Sequence, residues 1–105
     1  MATVEFKGNT WTVDEDGFID DFNNWNEDWV EYVKGTEGVE EITDDHWKVI
    51  NYLQDYYKQY GLAPMIRLLT KKTDFKLKYI YELFPSGPAK GACKMAGLPK
   101  PTGCV

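Results

Sequence analysis

A chain of 105 residues, 43% apolar and 15% aromatic, is the size of one domain with a single modest core and is too hydrophobic to stay disordered. Its net charge of −5 hides a split: residues 1–45 carry fourteen Asp/Glu against Lys7 and Lys34, while residues 46–105 carry Asp55, Asp74 and Glu82 against ten Lys/Arg. The two halves are able to attract one another within the fold; they are either two solvated faces, or the basic half steers an anionic partner. No apolar run reaches the ~18 residues of a membrane span, and the N-terminus lacks a secretory pattern. A cytoplasmic, reducing setting without membrane insertion is therefore expected.

The stretch "VEFKGNTWTV" alternates apolar and polar residues on either side of Gly8-Asn9. This predicts a β-hairpin with Val4, Phe6, Trp11 and Val13 on its buried face, and Asp14 to Gly17 predict a turn. An isolated hairpin is marginal in water, so it must pack on something else. In "NWNEDWVEYVKG", Asn24 and Glu27 fit a capping box and Trp29, Val30 and Val33 form an apolar stripe. The longest predicted helix is "TDDHWKVINYLQDYYKQYG", capped by Thr43 and stopped by Gly61, with Val49, Ile50, Leu53, Tyr56, Tyr57 and Tyr60 at helical intervals.

Pro64 suits the first turn of a short helix that Thr73-Asp74 ends, and "FKLKYIYELF" is a further helix closed by Pro85. In "SGPAKGACKMAG", Ser86 is the expected cap, Pro88 an early helical residue and Gly97 the stop. Beyond Gly97 the prolines forbid regular helix. The expected fold is α+β, mainly α: a small helical bundle with an N-terminal β-hairpin. Residues 1–97 form the core and 98–105 a flexible C-terminal arm of the same single domain.

Much chemistry is excluded. One His and two Cys cannot close a four-ligand zinc site, and no phosphate-binding glycine motif is present. His46 and the pairs Asp14/Asp16, Asp20/Asp21 and Asp44/Asp45 fall in turns or helix starts, where solvation and capping account for them. Two short helices across a turn, carrying Arg67, Lys71, Lys72, Lys76 and Lys78, resemble a helix-turn-helix and are candidates for anion, partner or DNA binding. The turn glycine is missing, however, and base-reading side chains are scarce.

Both cysteines lie in the tail "KGACKMAGLPKPTGCV". A stapling disulfide is weakly motivated in a reducing compartment, and Cys93 on the apolar side of a short helix is able to be inert. Cys104, next to the last residue, is hard to bury and hence reactive by access. From Gly97 to Val105 an extended arm spans roughly 25 Å at ~3.3 Å per residue, and Pro99 and Pro101 bias it toward extension. The same arm is able to fold back on Cys93, giving two thiols within reach of exchange. Lys90, Lys94 and Lys100 add positive charge expected to favour thiolates and attract anions.

The tail "FPSGPAKGACKMAGLPKPTGCV", with "GLAPMIRLL" and the acidic first half, closely resembles the DsrC/TusE family of sulfur carriers, a likeness running through most of the chain. The resemblance implies a helical core with a small hairpin and a mobile arm, free as a monomer. It also implies that Cys104 is the sulfur-carrying thiol, which takes up partly reduced sulfur from the α and β subunits of dissimilatory sulfite reductase. Cys93 then closes a trisulfide that a membrane-bound, heterodisulfide-reductase-like complex reduces. Sirohaem and iron–sulfur clusters belong to the partner, so no cofactor is expected on this chain, a co-substrate more than a catalyst. Carriers in tRNA thiolation generally lack the upstream Cys, so Cys93 favours the sulfite-reductase branch; a persulfide relay and a DNA-binding protein are the alternatives.

Overall fold

A computed structural model gives the structure of residues 2–100. The hairpin pairs β1 (Ala2–Phe6) with β2 (Asn9–Val13), antiparallel, in the register Phe6↔Asn9, Val4↔Trp11 and Ala2↔Val13. Residues opposite one another share a face, so the period-two pattern turns Val4, Phe6, Trp11 and Val13 toward the core together. The loop is Lys7-Gly8, one residue earlier than the sequence predicts. A two-residue turn that matches strand twist needs positive φ at both positions, and Lys7 (φ 51°) and Gly8 (φ 82°) supply it. Asn9 instead begins β2 and ties it to the next helix, donating to Asp28 Oδ2 at 2.9 Å and accepting from Asn26 Nδ2 at 3.0 Å.

A 3₁₀ turn (Phe22–Asn24) leads into α1 (Glu27–Glu37). The cap of α1 is Asn26, not Asn24: Asn26 Oδ1 accepts from the Trp29 N–H at 3.1 Å. Asn24 closes the 3₁₀ turn, and its carbonyl accepts from Trp11 Nε1 at 2.9 Å. Trp29, Val30 and Val33 are buried as their spacing predicts.

The long helix, α2 (Asp44–Tyr60), starts after Thr43 and stops at left-handed Gly61, as expected. Val49, Ile50 and Leu53 are buried, but Tyr60 at the end of the same stripe is 54% exposed. The stripe outlasts the layer it packs against.

Two short helices follow, α3 (Ile66–Thr73) and α4 (Leu77–Leu83). Each begins later than expected, after Met65 and Lys76 in extended conformation, so Pro64 precedes the helix instead of opening it. Asp74 takes the left-handed conformation (φ 62°) usually given to glycine in such a turn.

The last helix is π-helical over Pro88–Cys93, a feature the sequence does not announce. Gly87 (φ 88°) holds the cap position in place of Ser86. Ser86 bonds Glu37 instead, its N–H and hydroxyl donating to the two carboxylate oxygens at 3.0 and 2.6 Å. The architecture is thus the expected α+β, mainly helical one. Its core draws Trp11, Phe18, Trp29, Ile50, Leu69, Ile80, Phe84, Met95 and Leu98 from every part of the chain.

Candidate functional site

Cys93 closes the π-helical segment and is only 4% exposed. It is surrounded by small residues: Gly91 and Ala92 beside it and Ala96 one turn on are all buried. Gly91 is required there, since a Cβ would lie 2.9 Å from Phe84 Cβ and 2.8 Å from Glu37 Oε1. Burial pushes the Cys93 thiol up to about 12, because an apolar site penalises the thiolate.

The helix ends on Gly97 (φ 83°), with the Gly97 N–H donating to Lys94 O at 3.1 Å and the Leu98 N–H to Cys93 O at 3.0 Å. That pair of bonds is a Schellman motif, and Leu98 makes its apolar closure as a fully buried residue. A helix end leaves carbonyls short of partners, and here three side chains reach consecutive ones, the first as a second donor to Lys94 O. Trp29 Nε1 donates to Lys94 O at 2.7 Å, Trp25 Nε1 to Met95 O at 2.9 Å and Gln54 Nε2 to Ala96 O at 3.0 Å. The Trp25 ring also covers Gly97, where a Cβ would sit 2.6 Å from Cδ1. These donors lie 42 to 70 residues away in the chain, so no local motif marks them. The hint available in the sequence is only that Trp and Gln at helical positions carry N–H groups that need partners when buried.

The tail therefore leaves the core beside Cys93. Lys100, on that departing segment, pairs with Asp16 at 2.6 Å. Lys90, Lys94 and Lys100 all favour the charged form of Asp16, whose pKa is lowered chiefly by the Lys100 hydrogen bond. Lys94 also stands over the Phe18 ring, 5.1 Å from its centroid. At Cys93 itself burial is the cause that acts, and it opposes ionisation. Cys104 lies outside the described residues, as do all of 101–105.

Arg67, Lys71, Lys72, Lys76 and Lys78 are exposed on and between α3 and α4, and none is in an ion pair among the described residues. His46 is buried and structural: its Nδ1 accepts from the Thr43 N–H at 3.0 Å, which leaves Nε2 to donate to Leu83 O at 2.8 Å. The ring thereby joins the start of α2 to the end of α4. The acidic residues cap and turn as expected, with Asp14 Oδ1 accepting from the N–H groups of Asp16 and Phe18 and Asp21 Oδ1 from that of Asn23. Among the described residues no cluster of His, Cys, Asp or Glu is placed to hold a metal, and no helix is long and apolar enough to cross a membrane.

Residues 5–105 match the family model described as DsrC like protein. The chain is 65% identical over its full length, and over the relative's full length, to the gamma subunit of dissimilatory-type sulfite reductase from Nitratidesulfovibrio vulgaris. It is 42% identical over 99 residues, 88% of this chain and 90% of the relative, to a sulfurtransferase TusE homolog of Haemophilus influenzae. The crystal structure of the oxidised gamma subunit (DsrC) from Archaeoglobus fulgidus superposes with a TM-score of 0.87 at 48% identity, covering 99% of this chain and 100% of that one. A fold, a buried thiol at the root of the tail and a full-length match thus agree, and the chain belongs to the DsrC family.

Proposed function

We propose that this protein carries sulfur for a dissimilatory sulfite reductase on Cys104, with Cys93 as the second, resolving thiol. The observation that carries the reading is the bond from the Leu98 N–H to Cys93 O, which starts the tail at Cys93 itself. Cys104 lies six residues beyond Leu98, a reach of about 20 Å at ~3.3 Å per residue. That span suits delivery to a partner's interior as well as return to Cys93.

The chemistry balances with two thiols. Cys104 Sγ, bonded to a sulfur that still bears a hydroxyl group, is attacked at that sulfur by Cys93, with loss of water, to give a trisulfide. Four electrons and four protons, delivered by a membrane-bound complex with a heterodisulfide-reductase-like subunit, then release hydrogen sulfide and restore both thiols. Burial sets the order of events. With a thiol near 12, the thiolate fraction of Cys93 at neutral pH is on the order of one part in 10⁴–10⁵. Cys93 therefore waits until the end of the terminal helix opens, and Cys104 reacts first.

The same burial favours a second reading, a persulfide relay on Cys104 alone, as relatives named sulfurtransferase TusE would suggest. Mass spectrometry after turnover with sulfite reductase and limiting sulfite separates the two. The two-thiol reading expects a species bridging Cys93 and Cys104 through one extra sulfur. Loading should be lost in Cys104→Ser, and kept without the bridge in Cys93→Ser. Absence of any bridged species in the unaltered protein sinks the trisulfide and leaves the relay.

A further inference from the structure

The most exposed of the large apolar side chains among the described residues follow one another in the chain where α2 passes into α3: Tyr60 is 54% exposed, Leu62 57% and Met65 66%. Exposed apolar side chains rimmed by polar ones mark an interaction surface where they line a common groove. Met65 and Leu68 line a shallow groove of about 330 Å³ together with Arg67 and Lys71. The same two cations, with Lys76 and one carboxylate, Asp74, border a second groove of about 550 Å³ along the α3–α4 turn. Neither cation has a carboxylate within ion-pair distance among the described residues. Tyr, Met and Arg are the residue types enriched where protein interfaces concentrate their energy.

We infer that this Met65–Leu68–Lys71 face docks a protein partner whose contact surface sets apolar side chains within an acidic rim. Unpaired cations beside the apolar centre supply the charge complementarity, steering the encounter while the apolar groove slows dissociation. A nucleic acid fits less well. Phosphates offer nothing to cover Met65 and Leu68, and α4, with the sequence LKYIYEL, has no Asn, Gln or Arg to read base edges.

The inference rests on the sulfur-carrier reading in one respect: it takes the sulfite reductase as the partner to test. Binding of the full chain to a dissimilatory sulfite reductase freed of its own gamma subunit is measured by biolayer interferometry across a salt series. Arg67→Glu with Lys71→Glu should weaken binding by about tenfold or more and flatten its salt dependence. Met65→Ser should weaken it by about fivefold at every salt concentration. Lys34→Glu, on α1, should stay within about twofold. All the substituted side chains but Lys34 are exposed, so thermal melting checks that each variant is folded. Unchanged affinity in the double variant overturns the docking face and leaves the carrier reading standing. No binding by the unaltered chain overturns both. Tighter binding to duplex DNA than to the reductase, lost in the double variant, overturns the protein partner in favour of nucleic acid.

Discussion

The terminal helix and α3 are both short, yet they use apolar side chains in opposite ways. In the terminal helix even small residues are buried, with Gly91, Ala92, Cys93 and Ala96 all inside and Leu98 fully covered just beyond its end. On α3, Leu69 is buried while Met65, just ahead of the helix, stands largely in solvent. Hydrophobicity does not explain the contrast, because Met and Leu are the more apolar set. Partners do: Trp25, Trp29 and Gln54 come in from α2 and from the region around α1 to bond the last carbonyls of the terminal helix. Among the described residues no such layer lies over the exposed side of α3. One region is closed by its own chain, and the other is left for something else to close.

The strongest test of that contrast substitutes an apolar residue in each region. Leu98→Ala should destabilise the fold by about 3 kcal/mol, as for other large-to-small changes in cores. That corresponds to a drop of roughly 12–24 °C in melting temperature for a domain of this size. Met65→Ala should stay within about 0.5 kcal/mol. Equilibrium denaturation with urea measures both. A neutral Leu98→Ala would end the core at Gly97 and erase the difference.

A smaller effect sharpens the closed side. Cys93 has its folded pKa raised from 9.0 to about 12, so between those values the folded state binds more protons than the unfolded one. Stability should therefore fall as pH rises above about 9, by up to about 1.4 kcal/mol per pH unit. In a Cys104→Ser background, changing Cys93 to Ala should remove that component. At pH 7.5 iodoacetamide should leave Cys93 unmodified in the folded protein, and rapid modification would show that the thiol is open at rest.

The smallest expected effect belongs to Lys100 and Asp16, which tie the departing tail to the turn after β2. The carboxyl is lowered and the amine raised, in each case first by the hydrogen bond between them. Sign follows from direction. Stabilisation by Asp16 is present above the usual carboxylate range and is lost as pH falls through its lowered folded value. That by Lys100 is present up to its usual value of 10.5 and is lost as pH rises through its raised one. Asp16→Asn should lower the melting temperature slightly between those limits and not at all at high salt, since exposed pairs are screened. A difference that survives salt would mean the tail is held more firmly than this one pair allows.

Local patterns made much of this legible. Alternation in residues 4–13 predicts the hairpin and its inner face, and the Thr43 and Gly61 signals bracket α2. Boundaries slip where two residues compete for one role, as Asn24 and Asn26 do at the start of α1 and Gly8-Asn9 and Lys7-Gly8 do at the hairpin loop. The π-helical turn at Pro88–Cys93 has no one-dimensional signal, and the close approach of Gly91 to Glu37 and Phe84 joins residues far apart in the chain. The candidate site divides the same way. Two cysteines and the family resemblance single out the tail, whereas the burial of Cys93 and the grip of Trp25, Trp29 and Gln54 on its root are invisible to spacing.

By itself, then, the sequence determined the helices, the hairpin, the family and the pair of thiols, because each depends on neighbours within a few residues or on a motif read directly. Only the tertiary structure decided that Cys93 is buried, that Leu98 closes the core and that Met65 beside α3 is exposed among the described residues. Those outcomes depend on which distant surfaces meet, and desolvation and hydrogen-bond pairing at such meetings have no local signature in the chain.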